Sequence, residues 1–290
     1  MTEQVIGVIG GSGLYEIDGL ENLEEVKLST PFGEPSDAFI CGDLDGKKMV
    51  FLPRHGRGHR ISPSEINFRA NIWGMKRLGV SRILSVSAVG SMREDIEPGD
   101  FVVIEQFFDR TRHRVDTFFQ DGVVAHVMFA DPVCGDLRQT LIGAGKAAGV
   151  KIHDGGTYIN MEGPQFSTRA ESKIYRQWGV DVIGMTNLQE ARLAREAEIC
   201  YATVAMATDY DCWHEGHDDV TVEAVIEVMQ ANVGNARKLI ELAAPDVKPQ
   251  EASGCACGSA LQYAIMTARE TIPPEARQRL GLFIDKYLTE

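Results

Sequence analysis

The sequence lacks several features that would place it in other classes of protein. No apolar run approaches the roughly 18 residues that cross a bilayer, and the first residues lack the basic and apolar regions of an export signal. Positive charge is scarce: 29 Lys and Arg face 42 Asp and Glu, a net charge of -13 that opposes nonspecific binding to nucleic acid or anionic membranes. We therefore expect a cytoplasmic protein with no nucleic-acid or membrane partner.

Signatures of common cofactor and metal sites are also missing. The segment Gly10–Gly13 lacks the third glycine of a dinucleotide-binding loop and the Lys-Ser/Thr pair of a triphosphate loop. His214 and His217 do not have the i, i+4 spacing of a zinc-binding helix. The six cysteines show no paired zinc spacing and fit reduced thiols better than a disulfide framework. These absences predict that the chain has no metal site.

The Cys255-Ala256-Cys257 segment leaves two interpretations open. A Cys-x-Cys pair can form a strained, easily reduced disulfide, which would suggest a redox role. The alternative is that these are small side chains packing at the start of a helix, and we favour this second interpretation.

What the sequence does contain is an alternation of short apolar runs and helical patterns. At 290 residues and 44% hydrophobic content, the chain can bury a large α/β core. Such alternation predicts a largely parallel sheet covered by helices on both faces. The predicted strands are Val5 to Ile9, Met49 to Leu52, Arg82 to Ala88, Phe101 to Glu105, Thr157 to Met161, Asp181 to Met185 and Tyr201 to Met206. The predicted helices are Ser64 to Leu78, Leu137 to Ala148, Thr168 to Trp178, Leu188 to Ala197 and Val220 to Leu242.

A break in the pattern separates the last part of the chain. The segment Ala244 to Pro249 contains two prolines and interrupts the helical periodicity. We expect one domain over residues 1–245 and a C-terminal extension over residues 246–290, helical from about Cys257 and packed on the same domain.

The residues that follow the predicted strands suggest where a ligand binds. Ligands of open α/β sheets bind beyond the carboxyl ends of the strands, so these segments are expected to meet at one edge. Glycines let backbone amides come close to an anion, and hydroxyls can donate hydrogen bonds to it. A guanidinium provides a fork of donors for phosphate oxygens. A carboxyl at the same edge is partly desolvated, so its pKa can rise until it donates a proton. These segments are Gly10–Gly13, Pro53–Arg60, Ser87–Ser91, Met185 with Thr186, and Asp209 with Asp211.

Each segment also has a purely structural interpretation. The first glycine segment can be a tight strand-to-helix turn, and Arg54 and His55 can lie on a solvated basic loop. Asp209 and Asp211 can cap a helix and turn a loop, since aspartate is common in both positions. The residue patterns alone do not separate these alternatives.

Five longer motifs together resemble the 5'-methylthioadenosine phosphorylases, over roughly residues 5 to 240. They are Gly-Gly-Ser-Gly-Leu at 10–14, Pro-Arg-His-Gly-Arg at 53–57, Ala-Asn-Ile-Trp at 70–73, Glu-Gly-Pro-Gln-Phe-Ser-Thr-Arg-Ala-Glu-Ser at 162–172 and Ala-Met-Ala-Thr-Asp-Tyr-Asp-Cys-Trp at 205–213. The resemblance implies the purine nucleoside phosphorylase fold: a mixed, twisted and partly barrel-like sheet flanked by helices on both faces.

The resemblance also implies a set of ligand contacts. Its phosphate-binding residues would be Ser12, Arg54, His55, Ser87, Ala88 and Thr186. Phe166 and Met185 would contact base and ribose, and Ser167, Asp209 and Asp211 would read the purine edge. A slot for the 5'-methylthio group would be lined by His126, Val222, Val225 and Ile226, with His126 reaching it from a neighbouring subunit. One departure lies beside these residues: Gln189 stands where relatives commonly have proline.

The implied reaction is phosphate-dependent cleavage of the N-glycosidic bond of 5'-methylthioadenosine, giving adenine and 5-methylthioribose 1-phosphate. Asp209 would protonate N7 of the purine, helped by Asp211, while phosphate attacks C1' of an oxocarbenium-like transition state. Inorganic phosphate is then the co-substrate, and no metal or organic cofactor is required.

Two other functions remain open at this point. A protonated Asp209 could also donate to O6, which would suit the 6-oxo nucleosides methylthioinosine and inosine. A catalytically silent nucleoside-binding protein would keep the crevice without the chemistry. For the assembly, the resemblance implies a homo-oligomer, most simply a trimer, or a hexamer in which the C-terminal extension adds interface.

Overall fold

The core of the protein is a single open sheet of eleven strands. The computed structural model describes residues 4–11, 13–14, 16–214 and 222–288, and gives only the backbone of 222–225 and 227. The strands are β1 Val5–Gly10, β2 Leu20–Val26, β3 Phe39–Leu44, β4 Lys47–Pro53, β5 Val80–Ser91, β6 Phe101–Val103, β7 Gln106–Arg110, β8 Ile152–Asp154, β9 Thr157–Met161, β10 Val182–Gly184 and β11 Cys200–Asp209. The α-helices are α1 Phe68–Arg77, α2 Gly135–Ala148, α3 Arg169–Gln177, α4 Asn187–Glu196, α5 Val222–Ala243 and α6 Pro274–Leu288.

The sheet branches at its central strand, β5. Along one edge, the first part of β5 pairs in parallel with β1, and its last residues, Gly90 and Ser91, pair antiparallel with β10. Along the other edge, β5 pairs in parallel with β11 over most of its length. From these neighbours the sheet extends through β4, β3 and β2, through β9 and β7, and through β6 and β8. The predicted mixed sheet is confirmed, although it does not close into a barrel.

Helices cover both faces of this sheet because its buried strands are apolar on both sides. On β4, Met49 and Phe51 face a core shared with α2 and α5, whereas Val50 and Leu52 face a core shared with α1, α4 and α6. Each strand and helix predicted upstream of the C-terminal segment has a counterpart in the structure. The strands β2, β3, β7 and β8, of which all but β3 lie at an edge of the sheet, were not predicted.

The C-terminal segment is less regular than the sequence pattern predicted. Instead of a continuous helix from about Cys257, short 3-10 turns at Cys257–Ser259 and Arg269–Thr271 precede α6. Most of its buried side chains pack on the same core as α1 and α4, whereas Val247 and Cys257 pack on the core of α2 and α5. The buried carboxylate of Glu198 accepts hydrogen bonds from the amide of Leu261 at 2.9 Å and the hydroxyl of Tyr287 at 2.5 Å. Backbone and side-chain contacts therefore hold this segment against the main domain.

Within the described ranges, no helix is both long enough and apolar enough to cross a bilayer.

A buried carboxyl at the end of α4 makes the stability of the fold depend on pH. Desolvation raises the pKa of Glu196 to about 7, against the opposing hydrogen bonds from the amide of Phe118 and the hydroxyl of Thr117, each 2.7 Å long. The folded state therefore retains a proton that the unfolded chain loses near pH 4.5.

We expect Glu196→Gln to remove this pH dependence. The contribution of Glu196 is fully present below pH 4.5 and is lost as the pH rises through about 7, a difference of about 3 kcal/mol in the free energy of unfolding. Denaturant unfolding at about pH 5 and about pH 8 should therefore show a smaller loss in the variant than in the wild type. The exposed Glu97→Gln is the control, and an equal loss in all three proteins would contradict the prediction.

Candidate functional site

The ends of the strands enclose one cavity of 560 Å³. Segments that follow β1, β4 and β10 line it, together with the last residues of β5, the end of β11 with Asp211, and Met229 and Val233 of α5. Nine of the residues assigned by the family resemblance are among its lining residues: Arg54, His55, Ser87, Ala88, Phe166, Met185, Thr186, Asp209 and Asp211. The predicted convergence of basic and acidic segments at one sheet edge is therefore observed.

Arg54 is buried at one end of the cavity and is already paired. Its Nε and Nη2 donate to the two carboxylate oxygens of Glu190, at 2.5 and 3.0 Å. Nη1 donates to the carbonyl of Val86 at 2.9 Å, and Nη2 also donates to Ser85 Oγ at 2.7 Å. The bidentate fork predicted for a phosphate is thus occupied by Glu190, which leaves one N–H on Nη1 for a ligand.

His55 lies beside Arg54 and is neutral at neutral pH. Desolvation lowers the pKa of His55 to about 4, and the charge of Arg54 acts in the same direction. Its Nδ1 lies 2.8 Å from the carbonyl of Ile61, so Nδ1 carries the proton and Nε2 is an acceptor. In this state the imidazole can accept a hydrogen bond from a protonated anion such as hydrogen phosphate.

Further donors for an anion come from the start of α4. Thr186 is the N-cap residue of this helix, is buried, and makes no capping hydrogen bond with its own side chain. The helix N-terminus adds the positive end of its dipole at the same place. Ser87 faces this point from β5 and donates to Asn187 Oδ1 at 2.7 Å. This end of the cavity is therefore suited to an anion.

Asp209 and Asp211 form the opposite, acidic end. Asp209 Oδ2 accepts from the hydroxyl of Thr208 at 2.7 Å, and Oδ1 accepts from the amide of Asp211 at 2.8 Å. Desolvation raises the pKa of both carboxyls, and for Asp209 the charge of Asp211 adds to this increase. For Asp209, burial contributes more than the repulsion by Asp211. Such a carboxyl can hold a proton for transfer to a ligand.

Gly90 allows this close approach of the two acids to β5. A Cβ at this position would lie 2.9 Å from Asp209 Oδ1 and 3.4 Å from Asp211 Cβ. Asp211 itself has a positive φ of 52°, a conformation that aspartate tolerates better than most residues.

Gln189, at the position where the resemblance implies proline, is buried and hydrogen-bonded through its amide. Its Oε1 accepts from Arg114 Nη1 at 3.1 Å and from Asn160 Nδ2 at 3.3 Å, and its Nε2 donates to Thr111 Oγ1 at 3.1 Å. Arg114 also donates to the carbonyls of Met185 and Glu162. The amide and the guanidinium together connect the segments on either side of the cavity.

The sequence patterns did not identify two of these residues, Glu190 and Arg114. Glu190 contacts Arg54 across 136 residues and Arg114 contacts Gln189 across 75, so local patterns do not reveal either pair. The one available signal for Glu190 was an acid in the first turn of a helix that follows a ligand-binding strand end.

Of the remaining predicted residues, the three whose side chains the structure describes are not among the residues that line this cavity. His126 lines a second cavity beside Cys255, and Ile226 is 43% exposed on α5 without contacting the first cavity. Ser167 is half-buried next to the acids, where its carbonyl accepts from Cys212 Sγ at 3.4 Å. Ser12 and the side chains of Val222 and Val225 lie outside the described residues, although Gly11 and Gly13 line the first cavity.

Comparison with known proteins gives consistent matches over the whole chain. The model of the Phosphorylase superfamily matches residues 5–244. The S-methyl-5'-thioadenosine phosphorylase of Geobacter sulfurreducens is 60% identical over 99% of this chain and 100% of the relative.

Solved structures agree with these sequence matches. A methylthioadenosine phosphorylase from an Antarctic soil metagenomic library has a TM-score of 0.92 and 46% identity, covering 98% of this chain and 99% of its own. A variant of the adenosine/methylthioadenosine phosphorylase of Schistosoma mansoni, in complex with methylthioadenosine, has a TM-score of 0.85 and 35% identity, covering 92% and 100%.

We expect Glu190→Gln to weaken phosphate binding at the anion end of the cavity. The amide can accept only one of the two hydrogen bonds from Arg54, so the guanidinium loses both its counter-charge and its fixed orientation. Loss of one charge-assisted hydrogen bond from Arg54 to phosphate corresponds to an increase of about 10- to 100-fold in the dissociation constant of inorganic phosphate. Calorimetric titration with phosphate measures this constant.

Glu196→Gln, at a buried acid of the same helix outside the cavity, is the matched control. Unchanged phosphate affinity in Glu190→Gln, with a normal melting temperature, would show that Glu190 does not position Arg54 for an anion.

Proposed function

Because this chain belongs to the phosphorylase superfamily, we propose that it cleaves 5'-methylthioadenosine with inorganic phosphate. The products are adenine and 5-methylthioribose 1-phosphate. Relatives that carry the name of this activity match the chain along its full length. The reaction transfers a pentosyl group from a purine to phosphate.

One observation carries the proposal: a single cavity has a basic end and an end with two desolvated carboxyls. Phosphorolysis requires both, because phosphate attacks one side of C1' while the purine leaves from the other. A hydrolase would need no anion site, and a silent binding protein would need no carboxyl with a raised pKa.

At the basic end, phosphate is bound by neutral and charged donors together. Arg54 offers its remaining N–H and its charge, and Thr186 offers its hydroxyl beside the N-terminus of α4. The P–OH of hydrogen phosphate donates to Nε2 of His55, since Nδ1 donates to Ile61. The attacking oxygen is thereby left unprotonated. In this scheme phosphate itself is the nucleophile, and the reaction uses no metal or organic cofactor.

At the acidic end, Asp209 is the general acid. As the C1'–N9 bond breaks, its electron pair moves into the purine, and the proton of Asp209 passes to N7. The other oxygen of Asp209 accepts from the 6-amino group, and Asp211 holds Asp209 in place through its amide. Phosphate forms the new C1'–O bond, and Asp209 regains its proton from solvent after adenine leaves. A general acid of this kind contributes about 10²–10⁴ in rate.

Other residues would contact the ribose and the 5'-methylthio group of the substrate. Met185 offers an apolar surface to the ribose, and Phe166, which is 53% exposed, covers the base. Met229 and Val233 give α5 an apolar face suited to a thioether. We place His126 of a neighbouring subunit beside this apolar face. The protein would form a trimer and act in the cytoplasm.

The dependence on phosphate tests the reaction itself. Purified protein is incubated with 5'-methylthioadenosine in the presence and absence of phosphate, with methylthioinosine, inosine and adenosine in parallel. Release of adenine only with phosphate is expected. Release without phosphate would indicate a hydrolase, preference for a 6-oxo nucleoside would overturn the role of Asp209 at the base, and no turnover would favour a binding protein.

We expect Asp209→Asn to lower kcat for 5'-methylthioadenosine by about 10²–10⁴ while phosphate affinity changes little. An amide cannot protonate N7. In the wild type the rate should fall as the pH rises through the raised pKa of Asp209, because the protonated form is the active one. The variant should lack this alkaline decrease in a pH profile of kcat.

Asp45→Asn is a matched control, since Asp45 is exposed in the turn between β3 and β4 with a positive φ of 47° that asparagine also adopts. An equal loss of phosphate binding and turnover in Asp209→Asn would count against its role at the base.

A further inference from the structure

Four cysteines from three distant parts of the chain meet on the side of the sheet covered by α2 and α5. Cys134 is the N-cap residue of α2, Cys200 begins β11, and Cys255 and Cys257 lie in the C-terminal segment. Their four Sγ atoms all lie within 4.8 Å of one another. All six cysteines of the chain are described, and all are free thiols.

This spacing fits four ligands around a single ion. A tetrahedral zinc site with Zn–S bonds of about 2.3 Å holds its sulfurs about 3.8 Å apart. The observed Cys200 and Cys255 sulfurs are 3.4 Å apart, so the group needs to adjust by about 1 Å or less to enclose an ion. A multi-iron cluster would hold its thiolates farther apart than this.

The surroundings of the sulfurs supply hydrogen-bond donors and a positive charge. Gln250 Nε2 donates to Cys200 Sγ at 3.3 Å, and Ser253 Oγ donates to Cys255 Sγ at 3.1 Å. Arg82 is fully buried with Nη1 3.8 Å from Cys134 Sγ, and its Nε has no hydrogen-bond partner among the described residues. Such donors stabilise thiolates, as outer contacts do in metal sites.

An ion has a route to the site, because Cys134, Cys255 and Cys257 line the second cavity, which has a volume of 760 Å³. Cys255 is half-buried at this point, whereas the other three are buried.

We propose that Cys134, Cys200, Cys255 and Cys257 bind one Zn²⁺ ion as a four-thiolate structural site. Binding replaces up to four S–H protons, which pass to solvent, and leaves a complex with two negative charges beside Arg82. No electron is transferred. The ion would join the C-terminal segment to α2 and β11, and none of its four ligands lines the cavity in which we place phosphorolysis. The spacing rules applied to the sequence predicted no metal because the ligands are not paired along the chain.

The full-length protein, reduced and freed of metal with a chelator, is titrated with Zn²⁺ or Co²⁺ alone. Native mass spectrometry should show one Zn²⁺ per chain, and Co²⁺ should give the intense visible bands of a tetrahedral thiolate site. Zn²⁺ should protect four cysteines from alkylation, namely Cys134, Cys200, Cys255 and Cys257, while Cys41 and Cys212 still react. This protection pattern is measured on the wild type and needs no variant.

Cys255→Ser removes the most accessible ligand, and Cys41→Ser removes a half-buried cysteine outside the group. We expect Cys255→Ser to weaken Zn²⁺ binding by more than the 10- to 100-fold typical of outer contacts, and to lose the rise in melting temperature that Zn²⁺ gives the other two proteins. Phosphorolysis should persist in all three.

Three results would overturn the proposal: no uptake of Zn²⁺ by the reduced protein, unchanged affinity in Cys255→Ser, or alkylation that Zn²⁺ does not prevent. A mass decrease that matches a disulfide, in protein that binds no Zn²⁺ after reduction, would assign the four cysteines to redox chemistry instead.

Discussion

The buried ion pair between Arg54 and Glu190 joins the segment after β4 to the start of α4. Arg54 follows β4, and Glu190 lies in the first turn of α4. Burial alone would lower the pKa of Arg54, and the charge of Glu190 raises it, so the guanidinium stays charged although it is almost fully buried. A buried charge is tolerated only when it is paired and hydrogen-bonded, and here Ser85 and Val86 supply the remaining partners.

This pair also fixes the orientation of other residues around the anion end of the cavity. By holding the start of α4, it positions the hydroxyl of Thr186 and the dipole of the helix. Glu190 Oε2 in addition accepts from the hydroxyl of Tyr201 at 2.9 Å, which connects α4 to β11. The acidic end lies at the other end of that strand, at Asp209. The basic and acidic ends are therefore connected through a continuous set of buried contacts.

The same physical effect acts in opposite directions at the two ends. Desolvation disfavours the charged form of any group, so it lowers the pKa of His55 and raises that of Asp209. His55 is consequently an acceptor at neutral pH, whereas Asp209 keeps its proton to a higher pH than an exposed aspartate does. For the proposed reaction, this means that one end can take a proton from phosphate while the other gives a proton to the purine.

Local sequence patterns could predict the buried strands but not the whole sheet. The strands β1, β4, β5 and β11 are apolar on both faces, so they appear as continuous hydrophobic runs. By contrast, β2 has the sequence Leu-Glu-Asn-Leu-Glu-Glu-Val and is largely exposed, and β8 has three residues whose pairing depends on β6. Their hydrogen bonds form only when a neighbouring strand is present, and the hydrophobic periodicity of a segment does not indicate which strand pairs with it.

The site divides in the same way between local and long-range information. Residues at strand ends, such as Arg54, Thr186 and Asp209, could be predicted because the topology of an α/β sheet brings these ends together. Glu190, Arg114 and the four clustered cysteines could not, because each depends on contacts between segments far apart in the chain. His126 belongs to neither group: it lies at the second cavity of its own chain. In the proposed trimer, the phosphate and purine ends would therefore be built by one chain, and recognition of the 5'-methylthio group would require its neighbour.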